Sequence, residues 1–214
     1  MRTLSRRMYD GIKTRLSWAI PDAIYWRHRG RHYEREFAEM SEELQAEFRN
    51  QERTIVSAVS NLDLPNVPSA LDVGCGFGRI SSALTAAFPK LRVVGIDSSR
   101  EMIDAANISI KNPRQSYVVC NAKTPGPFKR YNLVYSVELL MHIRDPWPIM
   151  RNMAYSSRRH ILHCELGDRT GESRRNYVHD YVGIYRRNNI IATIVGTAPF
   201  GQQIILAWAA PELR

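Results

Sequence analysis

The sequence predicts an α/β protein: a doubly wound, seven-stranded, mostly parallel sheet with an antiparallel last strand, preceded by an N-terminal helical arm. Three observations carry this reading. Past a Pro-containing connector, Asp63 to Ser69, short apolar runs alternate with stretches of helical periodicity, the pattern of a parallel sheet covered on both faces. The last two runs are separated only by Pro199 to Gly201 and its neighbours, which leaves no room for a crossover helix and requires an antiparallel return. Before the connector, apolar residues recur at helical spacing through Phe37, Met40, Leu44, Phe48, Ile55 and Val59.

In chain order, Met1 to about Leu62 reads as helices, interrupted only at Gly11, Pro21 and Gly30 and stopped by Pro65 and Pro68. Strands are expected at Ala70 to Cys75, Arg92 to Asp97, Ser116 to Ala122, Asn132 to Val137, His160 to Leu166, Ile190 to Thr197 and Gln203 to Ala209. Helices are expected at Arg79 to Phe88, Ser99 to Ile110, Pro146 to Ser156 and Ser173 to Asn188. With 214 residues the chain accommodates one α/β domain and an appendage. The boundary falls at the connector, giving an arm over residues 1–66 and a sheet domain over residues 67–214.

Charge is uneven. The chain carries a formal net charge of +9, and Met1 to Arg35 alone holds nine basic residues against three acidic ones. Such an arm attracts nucleic acid, anionic lipid or an anionic small molecule. Cys75, Cys120 and Cys164 are widely spaced without a CxxC pair, each inside or at the end of an apolar run; this is the usage of buried thiols in a reducing compartment, not of a disulfide or zinc framework. No apolar stretch reaches the length of a membrane span and no signal core opens the chain, so the expected location is the cytoplasm.

The chemistry concentrates at ALDVGCGFGRI, Ala70 to Ile80. A dinucleotide fingerprint G-x-G-x-x-G starting at Gly74 and Gly76 would place Arg79 at its third, small position, and the glycines instead run Gly74, Gly76, Gly78. Asp72, two residues before the turn, would also repel a pyrophosphate at short range. A cationic ligand reverses that sign, and the ammonium and sulfonium of S-adenosylmethionine are such groups. Asp97 ends the next strand, where a carboxylate accepts hydrogen bonds from ribose hydroxyls.

ALDVGCGFG, VVGIDSSREMIDAA and YNLVYSVELLMHIRDP together resemble the successive motifs of class I S-adenosylmethionine-dependent methyltransferases, and the antiparallel last strand resembles that family's sheet edge. The resemblance runs from about Pro68 to the C-terminus, with the N-terminal helices similar to the variable lid of the family. It implies that Asp72, Gly74, Cys75, Gly76 and Gly78 line the methionyl part of the cofactor, that Asp97 holds the ribose, and that Ser98 and Met102 flank the adenine. The family commonly has Asp after the third strand; here CNA supplies Asn121, whose amide oxygen can accept the same adenine hydrogen bond, followed by Ala122. Asn132, where many members have Asp, reads as structural. Arg29 and Tyr33 in the arm are carried as further cofactor contacts, among Trp18, Tyr25 and Trp26 interleaved with arginines.

The reacting end follows the fourth strand, in SVELLMHIRDP, Ser136 to Pro146. Open α/β sheets place their sites at the C-terminal ends of strands, which brings Glu138 and His142 near the methyl donor. Transfer from a sulfonium needs in-line alignment and removal of a proton from the nucleophile, and a histidine can take that proton near neutral pH. Some relatives bind a divalent metal through E-x-x-E-H at this place; here Met141 replaces the second carboxylate, and a thioether is a poor ligand for a hard cation. No metal is therefore expected, although His163 and Glu165 in HCELG could approach the same place. His179 to Tyr181 are expected on the helix before the sixth strand, against the acceptor.

These readings imply a methyltransferase that uses S-adenosylmethionine, with S-adenosylhomocysteine as product, and methylates an O, N or C nucleophile of a small or medium-sized acceptor, anionic or aromatic. Two alternatives stay open: an RNA methyltransferase using the basic arm, and a non-catalytic partner subunit that keeps the fold.

Overall fold

The structure, a computed structural model, describes residues 36–37, 39–110, 112–124, 130–167 and 176–209. Strands β1 (Ser69–Val73), β2 (Arg92–Asp97), β3 (Gln115–Val119), β4 (Tyr131–Val137), β5 (Ser157–Leu166), β6 (Ile190–Ala198) and β7 (Gln202–Ala209) form one seven-stranded sheet. Its order is β3-β2-β1-β4-β5-β7-β6. The pairs β1–β2, β2–β3, β1–β4 and β4–β5 are parallel, whereas β7 runs antiparallel to both neighbours. The final strand thus returns as its short connection requires, filling the gap beside β5 and leaving β6 at the edge.

Helices cover both faces. Alternate residues of one strand enter different cores, as the pleat demands: Leu71, Val134 and Ile161 pack with Ile149, Met150, Met153 and Tyr185, while Ala70, Leu133, Tyr135 and Leu162 pack with Ile55, Val59, Ile80 and Leu84. The first group is closed by α4 (Trp147–Ser156) and α5 (Tyr181–Arg187), the second by α1 (Glu42–Ser60) and α2 (Arg79–Ala87). Another helix, α3 (Arg100–Ser109), sets Ile103 and Ala106 against Cys75 and Tyr117.

Helix starts follow local chemistry. The Ser41 side chain accepts from the Leu44 amide at α1 and the Ser99 side chain from the Met102 amide at α3, satisfying donors that the first turn leaves unpaired. On α1 the buried stripe is Phe48, Gln51, Ile55 and Val59, one face at helical spacing with a single amide in it.

The last helix is shorter than the periodicity predicts. It starts at Tyr181, because the Asp180 side chain accepts the Gly183 amide and caps it there. Residues 176–180 are not helical, with the Tyr177 amide donating to Met141 O (2.6 Å) and a His179 ring nitrogen to Ile143 O (2.9 Å). His179 and Asp180 therefore precede the helix instead of lying on it; residues 173–175 fall outside the described residues. Asn132 is structural, as read from the sequence: its Oδ1 accepts from the amide and hydroxyl of Ser69 at 3.0 and 3.1 Å, tying β4 to the first residue of β1. No helix of the described residues is long and apolar enough to cross a membrane.

Candidate active site

Strand order reverses between β1 and β4, and a crevice opens at the C-terminal ends of such a pair. From β1 emerges the glycine turn; from β4 emerges the loop Glu138 to His142. They touch: a Cβ on Gly74 would lie 2.8 Å from Leu139 Cδ1.

All three turn glycines have left-handed backbones, with φ of 74° at Gly74, 54° at Gly76 and 86° at Gly78, a region that L side chains enter at a cost. Their surroundings differ. A Cβ on Gly78 would strike the Tyr117 hydroxyl, whereas one on Gly76 would meet nothing nearer than Met102 Sδ at 4.0 Å. Gly76 thus presents bare backbone to open space beside a polarizable thioether, and Gly78 is packed shut. The amides of Gly74 and Cys75 both donate to Ile96 O, at 2.8 and 3.0 Å, and so fasten the turn to β2.

Asp97 completes this wall. Its Oδ2 accepts the Gly76 amide at 3.1 Å and its Oδ1 the Ser99 amide at 2.8 Å. With the Ser98 amide as a third donor, one of the carboxylate's four acceptor positions stays open, so the group can hold the turn and still accept from a ribose hydroxyl. Burial raises its pKa, with the amide donors of Ser99, Gly76 and Ser98 opposing. Ser98 is exposed at the entrance to α3, and Met102 is buried beneath. The Cys120 amide donates to Asp97 O at 2.8 Å, which brings Asn121 and Ala122 to the same rim. Asn121 Oδ1 accepts the Lys123 amide at 3.0 Å and Ala122 O accepts from Asn152 Nδ2 at 2.8 Å, so a tight turn sets this edge.

Asp72 lies under the turn. It is 2% exposed, its Oδ2 accepts the Ser81 hydroxyl at 2.7 Å, and Ser81 Oγ is 3.2 Å from the Tyr135 hydroxyl. Burial pushes its pKa up to about 7, against the opposing hydrogen bonds of Ser81 and Tyr135. A cationic ligand above the turn would favour the ionised form.

Glu138 has φ of 56°, unusual for a side-chain-bearing residue. Both its oxygens are engaged: Oε1 accepts from Gln202 Nε2 at 2.8 Å and Oε2 lies 3.7 Å from Arg79 Nη2. His142 ends a 3-10 turn, Leu140–His142, at the same crevice and is half-buried. Arg29 and Tyr33, like Trp18, Tyr25 and Trp26, lie outside the described residues. The arm nevertheless reaches the site, since the Phe37 ring sits 5.6 Å from that of Phe77 in the glycine turn and 5.1 Å from that of Phe48 on α1.

His163 and Glu165 do reach the β4 loop, from beneath it. His163 Nδ1 is 2.8 Å from Ser136 Oγ and Nε2 2.6 Å from the Tyr185 hydroxyl. Glu165 accepts the Ser136 hydroxyl (2.8 Å) and the amides of Leu139 (3.2 Å) and Met141 (3.1 Å). Burial lowers the His163 pKa to about 3 and raises that of Glu165 to about 7. Glu165 thus holds the loop's backbone while His163 ties β4 to α5, and no group of His, Cys, Asp and Glu among the described residues is arranged to hold a metal. Sequence reasoning missed Gln51, Arg79, Ser136 and Gln202; the one available signal was Gln51, an amide in an apolar stripe.

Residues 70–159 match the model of a family described as a methyltransferase domain. A trans-aconitate 2-methyltransferase of Methylobacterium radiotolerans is 32% identical over 76 residues, 36% of this chain and 28% of that protein; a second, from an Enterobacter species, is 25% identical over 47% of this chain and 39% of its own length. The matched part thus spans about a third of these relatives. Among solved structures, magnesium protoporphyrin IX methyltransferase from Synechocystis, with bound S-adenosylhomocysteine, has the same fold at a TM-score of 0.71, 16% identity and coverage of 88% of this chain and 100% of that one.

Proposed function

We propose that the chain is a class I S-adenosylmethionine-dependent methyltransferase that transfers a methyl group to an O, N or C nucleophile of a small or medium-sized acceptor, a reading supported by the methyltransferase-domain match over residues 70–159 and by the shared fold. The observation that carries this is the open backbone face at Gly76, bounded by the Asp97 carboxylate and the Met102 thioether. Bare amide backbone, a strand-end acid and a soft side chain fit an adenosyl group, and the buried acid beneath fits a cation instead of a diphosphate. S-adenosylmethionine supplies, when bound, a methyl group already activated by its sulfonium.

In this reading Gly74, Cys75, Gly76 and Gly78 shape the floor with Asp72 beneath it, Asp97 accepts from the ribose, Ser98 and Met102 border the adenine, and Asn121 and Ala122 close the rim. His142 accepts a proton from an acceptor hydroxyl, amine or carbon acid. Glu138, both of whose oxygens are engaged, orients the loop. Of residues 1–66, α1 belongs to the cover of the sheet, and the part of the arm that precedes it forms a lid over the crevice, a reading supported by Phe37 against Phe77, with Arg29 and Tyr33 as its cofactor contacts. The acceptor of the M. radiotolerans and Enterobacter relatives, trans-aconitate, is a carboxylate. An acid of this kind suits the basic arm, and since a carboxylate brings no proton to remove, His142 would then orient it.

The test is methyl transfer from radiolabelled S-adenosylmethionine to fractionated metabolites, lipids and RNA, with the product identified by mass spectrometry. Label in a small carboxylic acid, phenol or amine supports the reading. Label only in RNA favours an RNA methyltransferase, and absent label with absent cofactor binding favours a non-catalytic subunit.

A further inference from the structure

A closed ring of polar side chains joins the arm to the reacting loop. Arg79, the residue after Gly78, donates from Nη2 to Gln51 Oε1 at 2.5 Å and from Nη1 to Glu52 Oε1 at 3.1 Å. Gln51 Nε2 donates to Gln202 Oε1 at 2.7 Å, and Gln202 Nε2 donates to Glu138 Oε1 at 2.8 Å. The circuit closes where Glu138 Oε2 lies 3.7 Å from Arg79 Nη2. The hydrogen bonds run from Arg79 through Gln51 and Gln202 to Glu138, each amide accepting at Oε1 and donating from Nε2, so both amides are fixed in orientation, and the Arg79–Glu138 ion pair joins the two ends. The Arg79 guanidinium also lies over the Phe48 ring, 4.9 Å from its centroid.

The four corners belong to four elements: α1, the start of α2, the exit of β4 and the start of β7. Gln51 and Gln202 are 0% and 2% exposed. A buried polar ring is no more stabilising than hydrocarbon of the same volume; what it adds is direction, since each bond has a required geometry. That direction falls on Glu138, whose backbone is held at φ 56°. This one residue sets the path of Leu139 to His142 over Gly74.

We propose that Gln51, Arg79 and Gln202 are positioning residues that act through Glu138, holding the β4 loop in its reacting arrangement and coupling it to α1 and to the glycine turn. Glu165 holds the same loop from below through the Leu139 and Met141 amides, so the ring acts from the opposite side. What the loop does rests on the methyl-transfer reading, so the experiment measures the loop itself and needs no acceptor.

Amide hydrogen exchange is followed in the full chain for the wild type, Gln202→Met, Gln51→Met, Glu138→Gly and Glu138→Gln. Methionine keeps the volume without the bonds, and glycine adopts φ 56° without strain but lacks the side chain. The amides of Glu138 to Met141 exchange about tenfold faster in the first three variants, while those of β1 and β5 keep their wild-type rates. Glu138→Gln, which keeps the Oε1 acceptor, stays within about threefold of wild type. Loop exchange that is unchanged in Gln202→Met and Glu138→Gly, or slowed in Glu138→Gly, overturns the proposal, as does acceleration of β1 and β5 in step with the loop. Calorimetric titration of each variant with S-adenosylhomocysteine keeps the two questions apart, because failure of the wild type to bind tells against the methyl-transfer reading and leaves the loop result standing.

Discussion

Gly76 and Gly78 share a strained backbone region but not a neighbourhood, so one substitution at each separates binding from folding. In Gly76→Ala the new methyl meets nothing nearer than Met102 Sδ at 4.0 Å, and the folding cost is the left-handed backbone alone, about 1–2 kcal/mol. In Gly78→Ala the same backbone cost is joined by collision with the Tyr117 hydroxyl, and overpacking adds about 1–3 kcal/mol. At this chain length Tm falls about 2–4 °C per kcal/mol. Gly76→Ala therefore lowers Tm by about 5 °C and Gly78→Ala by about 10 °C. Binding runs the other way. The Gly76 methyl occupies the space proposed for the bound cofactor, and a clash of about 3 kcal/mol weakens binding at least about a hundredfold. Thermal unfolding and calorimetric titration with S-adenosylhomocysteine read the two quantities. Wild-type affinity in Gly76→Ala, or equal destabilisation by both substitutions, would refute the assignment of Gly76 as the open face.

Further expectations follow from the buried acids and from the loop. Asp72 has its pKa pushed up to about 7, and a cationic ligand binds its ionised form better, so affinity for S-adenosylmethionine falls up to about tenfold per unit as pH drops below about 7; Asp72→Asn flattens this profile, and a sloping profile in that variant would assign the effect elsewhere. The folded pKa values of Asp72 and Glu165 lie above their unfolded values, so the stabilisation from their protons is complete below about pH 4 and lost as pH rises through about 7. Chemical denaturation across that window should show stability declining with pH, less steeply in Asp72→Asn; stability rising over the window would contradict the burial argument. Glu165→Ala strips the acceptor from the Leu139 and Met141 amides and costs about 1–3 kcal/mol per unpaired donor, and an unchanged denaturation midpoint would show that the loop is held otherwise. His142→Ala lowers turnover about a hundredfold at near-normal cofactor affinity if the acceptor carries a proton to remove, and unchanged turnover on such an acceptor would take His142 out of the mechanism.

The sheet was readable from the chain because its strands are apolar runs, the central ones buried on both faces, with boundaries that fall within a few residues of Ser69–Val73, Arg92–Asp97 and Tyr131–Val137. The antiparallel end was readable from the connection length alone. The last helix was overextended, because the pattern from Ser173 onward does not reveal that Asp180 caps a new start. The glycine turn and Asp97 were visible as a local motif. Gln51 and Gln202 were not, since they pair with each other across 151 positions and Gln202 pairs with Glu138 across 64, and no local pattern encodes such pairs; Glu165 was visible as a carboxylate near the loop but not as the acceptor of amides 24 and 26 positions away. Arg79 was noticed only as the residue that breaks a dinucleotide fingerprint. In the structure it is the corner at which the arm, the turn and the loop meet.

The central claim is that this crevice takes a cationic adenosyl donor and rejects a diphosphate, and equilibrium calorimetry on the full chain tests it most directly. The account predicts saturable one-to-one binding of S-adenosylmethionine and of S-adenosylhomocysteine, with no heat from NAD or ATP under the same conditions. Tight binding of NAD or ATP together with indifference to both adenosyl compounds would contradict it.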